Sequence, residues 1–221
     1  LMRYDKAGQM VWQSDPTYSV TRFLYDQAHR RQRVIQGYLP IPINEKIAYF
    51  SYPSDHYEIF TMEPDGDYQT NLTNTAGQDT FPHWSPDGSR IVFVSDRVGI
   101  SPTFFYDVYV MDADGDNLEQ LTNLSGYATQ PAWSPDGGQI VFSFKPDGSP
   151  TNRFDLYLMN ADGTNLRVLL TDSTFSASRP RWSPEGQRIV FYGSDDEYVT
   201  SDIYTIHVDG SVLVNLASYL G

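Results

Sequence analysis

The sequence predicts an all-β fold, a β-propeller of four-stranded antiparallel blades, with four clear blades and a degenerate N-terminal part. Three observations predict it: a strand-forming composition, one hairpin spelled three times, and a second hairpin spelled four times. Aromatics are 14% of the 221 residues, and flat or branched side chains suit a pleated surface. Sixteen Gly and fourteen Pro supply turns. The first hairpin reads "FPHWSPDGSRIVF" from Phe81, "QPAWSPDGGQIVF" from Gln130 and "RPRWSPEGQRIVF" from Arg179, with Trp84, Trp133 and Trp182 spaced 49 and 49 residues apart. The second reads "EIFTMEPDGD" from Glu58, "DVYVMDADGD" from Asp107, "DLYLMNADGT" from Asp155 and "DIYTIHVDGS" from Asp202, its turn glycines Gly66, Gly115, Gly163 and Gly210 falling 49, 48 and 47 apart.

Each unit resolves into four strands in order. Strand A ends on the Trp, strand B is "RIVFVS", strand C "DVYVMD" and strand D "NLEQLT". Ser85-Pro86-Asp87-Gly88 joins A to B: Ser caps the turn, Pro presets φ, and Gly takes the last position. Asp112-Ala113-Asp114-Gly115 joins C to D. Two tight turns per unit make an antiparallel meander. Such a meander buries neither face alone, so copies of roughly 40–50 residues stack into a propeller. The blades are expected at 46–79, 80–128, 129–177 and 178–221 of one domain spanning 1–221. Residues 1–45 hold a partial blade and closing strands. "LMRYDKAGQMVWQSDPTYSVTR" can be laid on the C–D–A stretch from Leu156, and "QRVIQGYLPIPINEKIAYF" replaces a Trp hairpin with a longer, Pro-containing connection.

The combined "P-x-W-S-P-D-G-x-x-I-V-F" and "D-[IVL]-Y-x-M-x-x-D-G" phrases resemble the TolB-like β-propeller repeat family, from about Lys46 to Gly221. The resemblance implies an extracytoplasmic place, in the periplasm or at the cell surface. It also implies docking of a protein or peptide, either alone or as an accessory subunit of a membrane-associated assembly. The same repeats form the gating domain of prolyl-oligopeptidase-type hydrolases, whose nucleophile lies in another domain, and a TolB-like scaffold also carries a sugar or polyanion lyase.

The formal net charge of −13 argues against nucleic acid and anionic lipid as partners. With no cysteine, disulfides and thiolate metal sites are excluded. No run of 18 apolar residues offers a membrane-spanning helix. The chain opens at Leu1 with neither an initiator Met nor a signal pattern, and reads as a processed or trimmed piece of a longer protein.

The near-invariant turns gather at one end of each blade, and long, dissimilar B–C and D–A loops at the other, where binding surfaces usually reside. Tyr52, His56, Tyr57, Arg97, Phe104, Phe105, Tyr106, Tyr127, Arg153, Phe154, Phe175 and Tyr198 lie there, the aromatic and arginine types that anchor interfaces. The tryptophans recur with the scaffold and are read as wedges between blades. The acids opening strand C, Glu58, Asp107, Asp155 and Asp202, are read as acceptors for loop amides. His83, Arg179 and Arg181, on strand A, are expected at the channel mouth.

Asp195, Asp196 and Glu197, with Asp202, form an acidic loop that is the one candidate for Ca²⁺; no other cofactor is expected. "DADGDNLE" places its Gly at the fourth position, so it is a hairpin rather than a calcium loop. Asn71-Leu72-Thr73 and Asn123-Leu124-Ser125 match glycosylation acceptors but belong to the repeated strand-D phrase and are assigned to packing. No serine elbow, H-E-x-x-H, P-loop or dinucleotide fingerprint occurs. A non-catalytic binding module is the expected function.

Overall fold

The structure is a computed structural model. It describes residues 46–97, 105–149, 151–172, 174–194 and 201–217, with the Ser54 side chain omitted, and the backbone of four strands nearer the N-terminus. Every regular element among the described residues is a strand, and the chain divides into two compact units, Leu1–Asn44 and Glu45–Gly221.

The first unit is one antiparallel sheet of β1 (Met2–Tyr4), β2 (Met10–Ser14), β3 (Ser19–Tyr25) and β4 (Arg31–Tyr38), paired in that order. The likeness to a C–D–A stretch had assigned the second and third strands to different blades. They instead pair with each other, Trp12 opposite Arg22, because strands joined by a few residues pair locally.

The second unit begins with a three-stranded sheet of β5 (Ile47–Ser54), β6 (His56–Met62) and β7 (Thr70–Asn71). Three four-stranded meanders follow. They are β8 (Asp79–Trp84), β9 (Arg90–Ser95), β10 (Asp107–Asp112) and β11 (Glu119–Gln120); β12 (Gly126–Trp133), β13 (Gln139–Pro146), β14 (Asp155–Asn160) and β15 (Arg167–Leu170); and β16 (Ser176–Trp182), β17 (Arg188–Ser194), β18 (Ser201–His207) and β19 (Val214–Asn215). The first strand of the middle meander starts at Gly126, earlier than the phrase "QPAW" suggested.

Local chemistry explains the hairpins. The Ser85 hydroxyl donates to Asp87 Oδ1 (2.6 Å) and accepts from the Arg90 amide (2.9 Å), while Gly88 N–H closes the turn on the Ser85 carbonyl (2.9 Å). Ser134 and Asp136 repeat this. The two tight turns of a blade sit at one end, bonded to each other through the Ala113 amide and Ser89 carbonyl (2.9 Å).

Stacking explains the core. Strands β9 and β10 are buried along nearly their whole length because sheets cover them on both faces, whereas β17 alternates buried with exposed. Val92, Val94, Val108 and Val110 pack with Trp133, Ile140 and Phe142 of the next sheet. Trp182 likewise joins the cluster containing Ala132, Val141 and Leu158, its indole N–H donating to the Ala132 carbonyl (3.0 Å). The tryptophans are therefore wedges between sheets. Gly163 serves the same seam: at φ +80 it sits so close to the preceding sheet that a Cβ would lie 2.8 Å from the Leu121 carbonyl oxygen.

The acids that open strand C are fixed by strand D. Thr122 Oγ1 accepts from the Val108 amide (2.9 Å) and donates to Asp107 Oδ1 (2.7 Å), which also takes the Leu124 amide (2.9 Å). Thr73 and Glu58 form the equivalent pair (2.6 Å). The threonine that ends strand D, Thr73 in "NLT" and Thr122 in "QLT", is thus a structural clasp between strands C and D.

Candidate binding surface at the loop end and strand-A cleft

The β5–β6 hairpin ends on aromatics because its tip carries "YPSDHY", short of apolar partners within its own three-stranded sheet. Tyr52 is 55% exposed and Tyr57 40%. Their rings meet at 5.0 Å, Tyr57 meets Phe50 at 5.6 Å, and Phe50 meets Phe81 of β8 at 5.4 Å. Four partly exposed rings in mutual contact form one aromatic surface at the loop end. Clustered exposed rings are unlike the scattered apolar residues of an ordinary surface.

A second group lies between the next two sheets. Tyr106 bridges to Tyr127 through the Tyr106 amide and Gly126 carbonyl (3.0 Å) and through the Ala128 amide and Tyr106 carbonyl (2.9 Å). Phe105 contacts the Tyr127 ring edge-on (6.3 Å), and the Lys145 ammonium lies over Tyr127 (4.7 Å) and Phe154 (5.8 Å). These rings are half-buried. Arg153 stands beside Phe154, partly covered.

Other expected contact residues are committed to the fold. Arg97 Nη2 pairs with Asp79 Oδ1 at 2.8 Å, its Nε donates to Ser95 (2.9 Å), and its guanidinium lies over Phe93 (5.1 Å) and Tyr109 (5.0 Å). Asp79 is wholly buried. Phe175 is buried between Tyr204 (4.6 Å) and Phe191 (6.1 Å). These two were expected on the contact surface and are instead internal, since each has a complementary group one or two strands away. His56 is half-buried near Asp96, whose carboxyl is pushed above its usual range by burial, against the pull of the Gln78 amide (2.6 Å). Phe104, Tyr198, Asp195, Asp196 and Glu197 lie outside the described residues. Asp202, the remaining member of the acidic loop, accepts from Asn215 Nδ2 (2.7 Å), the strand-C-to-D clasp again. Among the described residues no group of three or more His, Cys, Asp or Glu is placed to hold a metal ion.

Beside the aromatic surface, the first strands of successive sheets border a cleft. Each of these strands bulges at the residue before its Pro: Phe81, Gln130 and Arg179 all have φ of 55–56°, and the pairing register shifts across them. A left-handed conformation costs a side-chain-bearing residue about 1–2 kcal/mol, and such strain gathers where a side chain must be re-aimed. Phe81 and Gln130 line a cleft of about 330 Å³ with Tyr49, Phe50, Pro131 and Arg181. A smaller space of about 230 Å³, lined by His83, Trp84, Trp133 and Trp182, shares Arg181 with it.

Of the three residues expected at the channel mouth, Arg181 lines both spaces and His83 the smaller one, while Arg179 lines neither. Arg181 donates to the Pro180 carbonyl (2.8 Å), and burial draws its pKa below the ordinary value. His83 is held neutral, its pKa lowered to about 4 by burial and then by the Arg181 charge. Arg179 lies over the Tyr192 ring (5.8 Å). Sequence reading missed Phe50, Phe81, Gln130 and Lys145. The available signal was frame position: Phe81, Gln130 and Arg179 occupy one slot of a recurring phrase and share no chemistry.

Residues 41–221 match the family model described as the TolB beta propeller domain. Comparison with curated protein sequences yields no match. Among solved structures, the putative TolB from Agrobacterium tumefaciens is similar with a TM-score of 0.68 and 19% identity, over 97% of this chain and 79% of that one. TolB from Acinetobacter baumannii gives 0.63 and 20%, over 93% and 56%. A puromycin-hydrolyzing peptidase from Mycobacterium tuberculosis gives 0.59 and 11%, over 97% of this chain but only 38% of the peptidase.

Proposed function

Since the chain belongs to the TolB beta propeller family across residues 41–221, we propose that it is a non-catalytic binding module that docks a protein or peptide at its loop end. The observation that carries this reading is the aromatic surface of Phe50, Tyr52, Tyr57 and Phe81, exposed and self-contacting. Tyrosine and phenylalanine anchor interfaces because they bring large apolar area at small cost in rotamer freedom. The Phe105–Tyr127–Phe154 group with Lys145 extends the same chemistry to the neighbouring sheets.

An extracytoplasmic place, in the periplasm or at the cell surface, and a role as an accessory subunit of a membrane-associated assembly accompany this reading, drawn from the TolB kinship. A photo-crosslinking residue placed at Tyr52 or Tyr57 tests it in the native host. Adducts from these positions and none from Asp114 or Asp162, at the tight-turn end, are expected. Adducts only from the turn end would overturn the assignment.

A second reading, the propeller of a larger prolyl-oligopeptidase-type hydrolase, is favoured by one observation: nearly the whole chain overlays on little more than a third of the peptidase. A serine-elbow motif encoded in the same open reading frame would decide for it.

A further inference from the structure

Arg181 is a guanidinium with no carboxylate partner among the described residues, in a chain whose net charge is −13. Among the described residues its hydrogen bond goes to a carbonyl one residue away, which leaves most of its five donors to the cleft. His83, which shares the smaller space with Arg181, is neutral and adds no second positive charge there. Around Arg181 the wall is largely apolar: Phe50, Phe81, Pro82 and Pro131 on the larger side, with Tyr49 and Gln130, and tryptophans on the smaller, with His83 and Ser134. The indole N–H groups of Trp84 and Trp133, which border the smaller space, also have no acceptor among the described residues. An exposed cation bordered by hydrophobic surface on both sides, with donors in excess, selects an anionic group attached to an apolar body.

We propose that Arg181 receives the C-terminal carboxylate of the docked segment, with the side chain of its last residue, aromatic or large aliphatic, against Phe50 and Phe81. This rests on the peptide-binding reading and names the chemistry of its partner. The volume favours a chain end over an internal acid. About 330 Å³ lies at the low end of ligand pockets. A terminal apolar residue carries carboxylate and hydrophobic group on one Cα, whereas an internal Asp or Glu needs a second residue to supply the apolar part. The Gln130 Oε1, an acceptor on the same cleft, takes the Arg179 amide (2.8 Å) rather than an Arg181 N–H.

The test uses the full chain and a dye-labelled hexapeptide ending in Leu-Phe, as the free acid, as the C-terminal amide, and as an amide with an internal Glu, followed by fluorescence anisotropy. The free acid is expected to bind, and either amide to bind at least about tenfold more weakly, as loss of a charge-assisted hydrogen bond implies. Arg181→Gln should equalise acid and amide, and Arg181→Lys should keep part of the preference. Absence of free-acid binding to the wild type, equal binding of acid and amide, or an acid preference surviving Arg181→Gln would each overturn the proposal. Equal binding of the internal-Glu amide would overturn the choice of a chain terminus. The acid-to-amide ratio is measured on the unmodified protein, so it does not depend on a variant folding. Loop-end crosslinks alongside failure of these peptides would sink the carboxylate site and leave the docking surface standing.

Discussion

The Arg179 main-chain amide donates to the Gln130 side-chain Oε1 at 2.8 Å, across two sheets and 49 residues of sequence. The two residues hold the same place in successive repeats, and both are in the left-handed conformation. The bulge turns one repeat's side chain towards the next repeat's backbone, so the strained position also ties the sheets together.

Gln130→Ala removes this tie. A cost of about 1 kcal/mol is expected, the net worth of an ordinary hydrogen bond, seen as a fall of about 2–4 °C in melting temperature for a chain of this size. Gln130→Glu, which keeps the acceptor, should cost less.

Arg97 and Asp79 form a buried pair at 2.8 Å. Among the described residues, Arg97→Met leaves the buried Asp79 carboxylate with the Thr75 hydroxyl alone (3.3 Å), and a loss of about 3–5 kcal/mol is expected in urea denaturation. Replacing both, as Arg97→Met with Asp79→Leu, should restore much of it, because no uncompensated charge remains. Failure of the double variant to recover would mean that Arg97 acts through its stacking on Phe93 and Tyr109.

His83 couples the cleft to pH. Its folded pKa is about 4 against 6.5 for a free imidazole, so between these values the unfolded chain binds a proton that the folded chain refuses. Above pH 6.5 the residue contributes no pH dependence. As pH falls from 6.5 to 4 the folded state loses up to about 3 kcal/mol, and below 4 the loss is complete. In melts across this range, His83→Gln should show a shallower decline than the wild type.

Val212 has φ 53° and is 55% exposed, at the turn position where two other repeats carry Asn117 and Asn165. A β-branched residue is the poorest occupant of this region, and asparagine one of the best. Val212→Asn is expected to raise stability by about 1 kcal/mol, with Asn165→Val producing the opposite shift in a thermal melt.

The sequence by itself determined the hairpins, their order and the residues that turn them. Ser-Pro-Asp-Gly and the strand-C phrase act on neighbours a few residues away, and short-range geometry is written in short-range residue choice. Even there, Gly163 reads locally as a turn glycine. Its second reason, the Leu121 carbonyl 2.8 Å from where a Cβ would sit, belongs to the seam between sheets. The tertiary structure alone decided which loop residues face outward. Arg97 and Phe175 share a loop setting with Tyr52 and Phe105, and Phe175 shares its residue type with Phe105, but Arg97 meets Asp79 and Phe175 meets Tyr204 across the fold. It also assembled the cleft, whose walls come from the first strands of four different sheets. Burial and charge pairing depend on what stacking brings within a few ångströms, and a linear repeat carries no measure of that distance.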